Sequence, residues 1–142
     1  MGKKVRGAGT TLEKGKTTPI KIANLTSIDG IEVTAESIDV TTLDSADGFK
    51  EFIPGSLDGG EVSIEGFLDP TTGQGQVELQ TAINAGTIDD YAIKFPADLN
   101  AKWSFKAFVT AFKAGGATTD DGLPFSATLK VTGKPTLGTL TA

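Results

Sequence analysis

Period-two alternation punctuated by glycine constrains this chain more than any other feature. Glu61–Leu68 reads EVSIEGFL, with Val62 and Ile64 set against Glu61, Ser63 and Glu65. Tyr91–Phe95 (YAIKF) alternates until Pro96 ends it, and Pro124–Val131 (PFSATLKV) alternates Phe125, Ala127, Leu129 and Val131 with polar residues. Successive side chains of a strand point to opposite faces, so these runs fit half-buried strands. Ile20–Leu25 and Ile31–Val40 are further β-rich runs. In Lys102–Phe112 the apolar face holds Trp103, Phe105 and Ala107 and then passes to Phe108 and Phe112, which predicts a bulge near Ala107. Glycine-rich turns are expected at 58–60, 114–122 and 132–135.

One segment departs from period two. Residues 75–86 (GQVELQTAINAG) place Leu79, Ala82 and Ile83 on one helical face, and Gly86 is positioned to cap the end. The chain therefore reads as a single mainly β domain over 1–142, a β-sandwich or barrel-like fold with one short amphipathic helix. A long loop is expected at 41–57, with a flexible glycine-rich arm at 1–9 and a C-terminal tail at 133–142. The strands flanking the long loop, Ile31–Val40 and Glu61–Leu68, are expected to pair as a hairpin. That pairing sets Glu32 and Glu36 near Glu61 and Glu65 as a field of carboxylates.

The residue inventory narrows the chemistry. The sequence has no cysteine and no histidine. Thiolate metal sites, disulfides and Ser-His-Asp or Cys-His catalysis are excluded, and carboxylate, lysine or tyrosine chemistry remains. No apolar run is long enough for a membrane-spanning helix, and the charged start lacks the apolar stretch of a secretory signal. Gly15-Lys16-Thr17 resembles the end of a phosphate-binding loop, but Gly9 and Gly15 are one residue too far apart. Thr18-Pro19-Ile20 continues into an alternating run rather than a helix, so Lys14-Gly15-Lys16 reads as a hairpin turn. In Leu43–Phe52, aligning Gly48 with the glycine of a calcium loop puts Leu43 and Pro54 at ligand positions, which neither can fill. No catalytic, metal or cofactor residues are assigned.

Charge is segregated along the chain. Residues 1–24 hold six Lys/Arg against Glu13, residues 29–69 hold eleven acids against Lys50, and residues 70–142 hold six of each. Blocks of opposite sign on one chain suit attraction within the fold or between copies.

Several segments together resemble the tail tube (major tail) proteins of long-tailed phages, the siphophages. They are Arg6-Gly7-Ala8-Gly9-Thr10-Thr11-Leu12, Val33–Ser37 followed by Leu43–Asp47, Gly73–Gln76, Tyr91–Pro96 and Lys130–Leu137, in order over nearly the whole chain. The resemblance implies a structural virion protein of the tail, made and assembled in the host bacterial cytoplasm. Its subunits would form hexameric rings stacked into a tube, with tape-measure, tail-terminator and distal-tail proteins as further partners and no membrane. DNA would pass through the lumen without specific binding. The basic arm (Lys3, Lys4, Arg6) and the long loop (Leu43, Asp44, Asp47, Phe49, Phe52, Ile53) are the expected contacts between subunits and rings. Glu32, Glu36, Glu61 and Glu65 are the expected lumen-lining residues, repelling phosphates. Phe49 and Phe52 either meet a neighbour or tuck back onto their own sheet. A non-catalytic β-sandwich binding module is the alternative, as is another tube-like protein such as a tail terminator or secretion-system tube.

Overall fold

The computed structural model describes residues 6–117, 119 and 122–140. The chain runs through β1 (Thr11–Lys14), β2 (Ile20–Lys21), β3 (Leu25–Ile28), β4 (Thr34–Asp39), β5 (Phe52–Asp58) and β6 (Glu61–Phe67). It continues through α1 (Gln76–Ala85), β7 (Asp89–Lys94), β8 (Lys102–Ala114) and β9 (Pro124–Gly138). Seven strands form one sheet in the order β2-β1-β7-β8-β9-β6-β3, while β4 and β5 pair only with each other.

The alternation read from the sequence lays out the large sheet. Val62, Ile64, Phe125, Ala127, Leu129 and Val131 of β6 and β9 face the core together with Tyr91, Ile93, Phe105, Ala107 and Val109 of β7 and β8. Although β1 and β3 lie near opposite ends of the strand order, they touch. The sheet is therefore curled into a half-barrel, the barrel-like form of the expected architecture, with α1 packed on β8. Leu79 and Ala82 of α1 are buried, and Gly86, with φ 69°, ends the helix by donating its N–H to Ala82.

A single buried amide holds the curl in place. Gln76, at the first turn of α1, donates to the carbonyls of Ala23 (3.1 Å) and Phe67 (2.8 Å), and its Oε1 accepts the Asp69 N–H (2.8 Å). It thereby joins the β2–β3 crossing, the end of β6 and the start of the helix. The segments approach too closely for side chains at two points. A Cβ on Gly66 would stand 2.2 Å from the Asn24 carbonyl oxygen, and one on Gly75 would stand 2.6 Å from Ile22 Cδ1. Gly75 also has φ 96°, and Glu78 reaches back to accept its N–H at 3.0 Å.

The remaining differences from expectation have local causes. Lys14-Gly15-Lys16 does open a hairpin turn, with Glu13 opposite Lys21 and Lys14 opposite Ile20. The strand Ile31–Val40 does not pair with Glu61–Leu68. Its partner is β5, which lies inside the expected loop 41–57, while β6 pairs with β9 and β3. Pro54 and Gly55 hide β5 by interrupting its pattern, and a register shift between Ala35 and Ser37 accommodates them. The β8 bulge falls between Val109 and Ala111 instead of near Ala107. Ala107 is fully buried in regular pairing, and Phe112 returns to pack edge-on against Phe125 at 5.4 Å. β9 runs on through the expected turn at 132–135 into the expected tail, because a second register shift absorbs Gly133–Pro135. Pro135 is tolerated there because no described strand lies on the far side of β9 beyond Val131. Among the described residues no helix is long and apolar enough to cross a membrane.

Replacing Gln76 by Leu strands two carbonyls and one N–H in a dry site. Chemical denaturation of Gln76→Leu is expected to show a loss of about 2–4 kcal/mol. Tyr91 makes the opposite case. Its hydroxyl is buried with no hydrogen-bond partner among the described residues, while its ring stacks on Phe105 at 6.0 Å. Tyr91→Phe keeps the ring and removes the orphan, so its stability is expected to match or exceed the parent's, by up to about 1 kcal/mol.

Candidate assembly surface

The β4–β5 hairpin leaves the body of the domain with little of its own to bury. Every β4 residue is exposed, and in β5 only Gly55 is partly covered. Ile38 lies opposite Ile53 on one face of the ribbon, and Ala35 lies opposite Leu57 on the other. A two-stranded ribbon with apolar side chains on both faces has no core to place either against.

The tip is ordered by its own polar groups. Thr41 Oγ1 accepts the Glu51 N–H (2.7 Å), Ser45 Oγ accepts the Thr42 N–H (3.0 Å), and the Ser45 hydroxyl donates to the Glu51 carboxylate (2.9 Å). Asp39 accepts the Thr41 N–H, and hydrogen bonds from Thr41 hold its carboxyl below the ordinary value. A short 3-10 turn, Ala46–Gly48, then carries the chain to Phe49, whose N–H bonds to Ala46. Asp39, Thr41, Ser45 and Glu51 are thus engaged with one another and with the local backbone, while the large apolar side chains stay exposed. Phe49 is 74% exposed and Phe52 54%, so neither tucks back onto the sheet. Leu43, Ile53, Ile38 and Val40 are exposed beside them.

At the base, the hairpin is tied to β9. Lys130 Nζ lies 2.9 Å from Asp58 Oδ1, which also accepts the Gly60 N–H at 2.8 Å. The Gly60 N–H first, and Lys130 second, lower the Asp58 pKa. Next to this tie lies an open groove lined by Val33, Leu57, Trp103, Val131, Pro135 and Leu137, with Asp58 and Lys134 as its charged residues.

The residues expected to make contacts are distributed as follows. Leu43, Asp44, Asp47, Phe49, Phe52 and Ile53 all lie on the hairpin or its tip. Arg6 is exposed and lines a groove with Leu25, Ile28 and Phe95, while Lys3 and Lys4 lie outside the described residues. The four glutamates are not brought together. Glu61 and Glu65 sit on the polar face of the large sheet, opposite Lys130 and Ser126, whereas Glu36 is on the hairpin and Glu32 precedes it. Strand register puts Lys94, Lys102, Lys106, Lys113 and Lys130 on that same polar face, with Glu13 bridging to Lys94 at 3.1 Å. The face is mixed in charge, with Glu61 and Glu65 on β6 and Glu13 and Asp90 on β1 and β7 set among these lysines. Sequence reasoning missed Val33, Ile38, Val40 and Leu57. The available signal was parity, since Ile31 and Val33 fall on odd positions and Ile38 and Val40 on even ones.

Among the described residues no group of three or more potential ligands could hold a metal ion. No curated protein matches the chain in sequence. Solved structures share the fold. The tail of an empty gene transfer agent particle with C6 symmetry superposes with a TM-score of 0.78 at 16% identity, covering 95% of this chain and 99% of the other. The baseplate of the anti-feeding prophage gives 0.80 at 11% identity, with 100% of both chains covered. The SPP1 tail tube gives 0.70 at 11% identity, covering 96% of this chain and 80% of that one. At the level of sequence, residues 8–138 match the profile of one family across nearly the full length, and by that match the chain belongs to the lambda phage tail tube protein family.

Proposed function

We propose that this chain is the repeating subunit of a phage tail tube. Copies close into hexameric rings, the rings stack, and DNA crosses the hollow centre during ejection. The role is structural, without catalysis or cofactor, and it places the protein in the virion tail after synthesis in the host cytoplasm. The observation that carries the reading is the β4–β5 hairpin, apolar on both faces and exposed in a member of this family. Exposed apolar patches of this kind mark sites of protein association. A contact between two different surfaces repeats from copy to copy, closing a ring or extending a filament.

The polar face of the large sheet is the candidate lumen wall, with Glu61 and Glu65 presenting carboxylates from β6. These carboxylates stand among the lysines of the same face, so the wall offers a phosphate backbone no uniform positive surface to adhere to. The arm at 1–9, including Lys3, Lys4 and Arg6, is a second candidate contact for the acidic block of a neighbour. Terminator, distal-tail and tape-measure proteins are the candidate partners at the tube's ends and inside it.

Negative-stain microscopy of the concentrated protein is expected to show rings or tubes about one subunit ring wide, and a strict monomer at every concentration and salt would overturn the reading. Phe49→Ser combined with Phe52→Ser removes apolar surface that supports no internal packing. The double variant is expected to keep the parent's melting temperature to within a few degrees and to raise the concentration needed for assembly at least tenfold, as read by sedimentation.

A further inference from the structure

We propose that a hollow on the polar face of the large sheet, over β1, β7, β8 and β9, binds the phosphate backbone of a DNA duplex. The inference rests on the tube reading, in which DNA crosses the hollow centre, and adds a place on the wall where the duplex is held. Five of the residues lining the hollow are lysines: Lys16, Lys94, Lys102, Lys106 and Lys134. Its acids are Glu13 and Asp90. Glu13 is bridged to Lys94, and Asp90 lies opposite Lys106. Among the described residues Lys16, Lys102 and Lys134 have no ion-pair partner within 4.0 Å. Lys102 is half-buried and stands directly opposite Lys94 in the β7–β8 ladder. Like charges set opposite each other across a strand pair destabilise it, and an anion seated in the hollow relieves that repulsion.

The lining selects among anions. Ser104 sits between Lys102 and Lys106 on the same face of β8, and Thr132 lies opposite Lys106. Lysines and hydroxyls are side chains that contact phosphate oxygens. A protein partner is held through apolar anchors instead, and beyond Pro19 and Ala92 the hollow offers none. Tyr91 and Phe105 also border it, but their side chains are buried in the core. Lys102 and Lys106 stand about 13 Å apart at the strand rise. A single phosphate ion cannot meet both, whereas each strand of a duplex presents a phosphate about every 3.4 Å along its axis.

The hold is local. Glu61 and Glu65 lie on β6, on the far side of β9 from β8, so the polar face attracts a phosphate backbone over β1, β7 and β8 and repels it over β6. Such a hold is electrostatic, and it strengthens steeply as salt falls.

The test uses the full-length chain, kept dilute enough to stay unassembled, and a short fluorescein-labelled DNA duplex read by anisotropy over a series of salt concentrations. The double variant Lys102→Gln with Lys134→Gln is expected to bind at least about tenfold more weakly at low salt and to lower the slope of log affinity against log salt by about two. Lys50→Gln with Lys113→Gln removes the same charge outside the hollow and is expected to change affinity less than about twofold. No binding by the parent at the lowest salt, or equal weakening in both double variants, overturns the inference and leaves the tube reading standing. Inorganic phosphate is expected to displace the duplex no better than chloride of equal ionic strength; displacement far below that level makes the hollow a site for free phosphate and overturns the DNA assignment. Tubes lost in the hollow variant with duplex binding intact make it a contact between copies and overturn it too. A second readout needs no variant: in the parent, the duplex is expected to protect Lys102 and Lys134 from acetylation, mapped by mass spectrometry, and to leave Lys113 reactive. Equal reactivity with and without duplex overturns the inference. Absence of rings or tubes from the concentrated parent overturns the tube reading, and with it the place of this hollow on a tube wall.

Discussion

The fold turns on one buried amide. A sheet with seven strands and one apolar face must cover that face, and here it does so by curling around the core until the β2–β3 crossing comes within reach of the end of β6 and the start of α1. Three backbone segments meeting in a dry place leave carbonyls and N–H groups that have no ladder partner. Gln76 answers three of them with one side chain, using both its donor hydrogens and its acceptor. No carboxylate could do this, since it cannot donate, and no hydroxyl could, since it reaches too little. Gly66 and Gly75 serve the same junction from the other side by letting the segments approach. With the junction closed, the body of the domain is complete in itself.

The hairpin is the opposite case, and the contrast divides the molecule into two parts. In the body, apolar residues turn inward and polar residues meet water. In the hairpin, the polar side chains of Thr41, Thr42, Ser45 and Glu51 bond to one another and to the local backbone, and the apolar residues meet water. A free two-stranded ribbon is marginal at best. The tip's own network and the Asp58–Lys130 tie at its base give this one enough order to present a defined shape.

What could be seen in the sequence follows from the same division. β6, β7 and β9 were legible because burial of one face forces strict alternation, and α1 was legible because Leu79, Ala82 and Ile83 share a face ended by Gly86. β5 was not, because FIPGSLD has apolar residues on both sides and a proline and glycine in the middle. A ribbon whose faces both await a partner has no reason to alternate. Phe49 and Phe52 stood out as large apolar residues in an acidic stretch that could meet a neighbour or tuck back, and only the structure shows that they are exposed, with Leu43 and Ile53 beside them. The groove could not be read, since it depends on Trp103 lying opposite Leu137 and on Val33 and Leu57 meeting them from a separate sheet. Gln76 was noticed only within the Gly73–Gln76 segment shared with the family, and its reach across three segments is visible only in three dimensions.

The outward-facing tip has a thermal consequence. The association of apolar surfaces near room temperature is driven by the release of ordered water, absorbs little or no heat, and weakens on cooling. A body sealed by hydrogen bonds and close packing does not share that weakness to the same degree. A polymer joined through Leu43, Phe49 and Phe52 would therefore be looser in the cold than the subunits it is made from. Cooling would loosen the joints between copies before it loosens the copies themselves, so that temperature bears on the assembly more than on the fold.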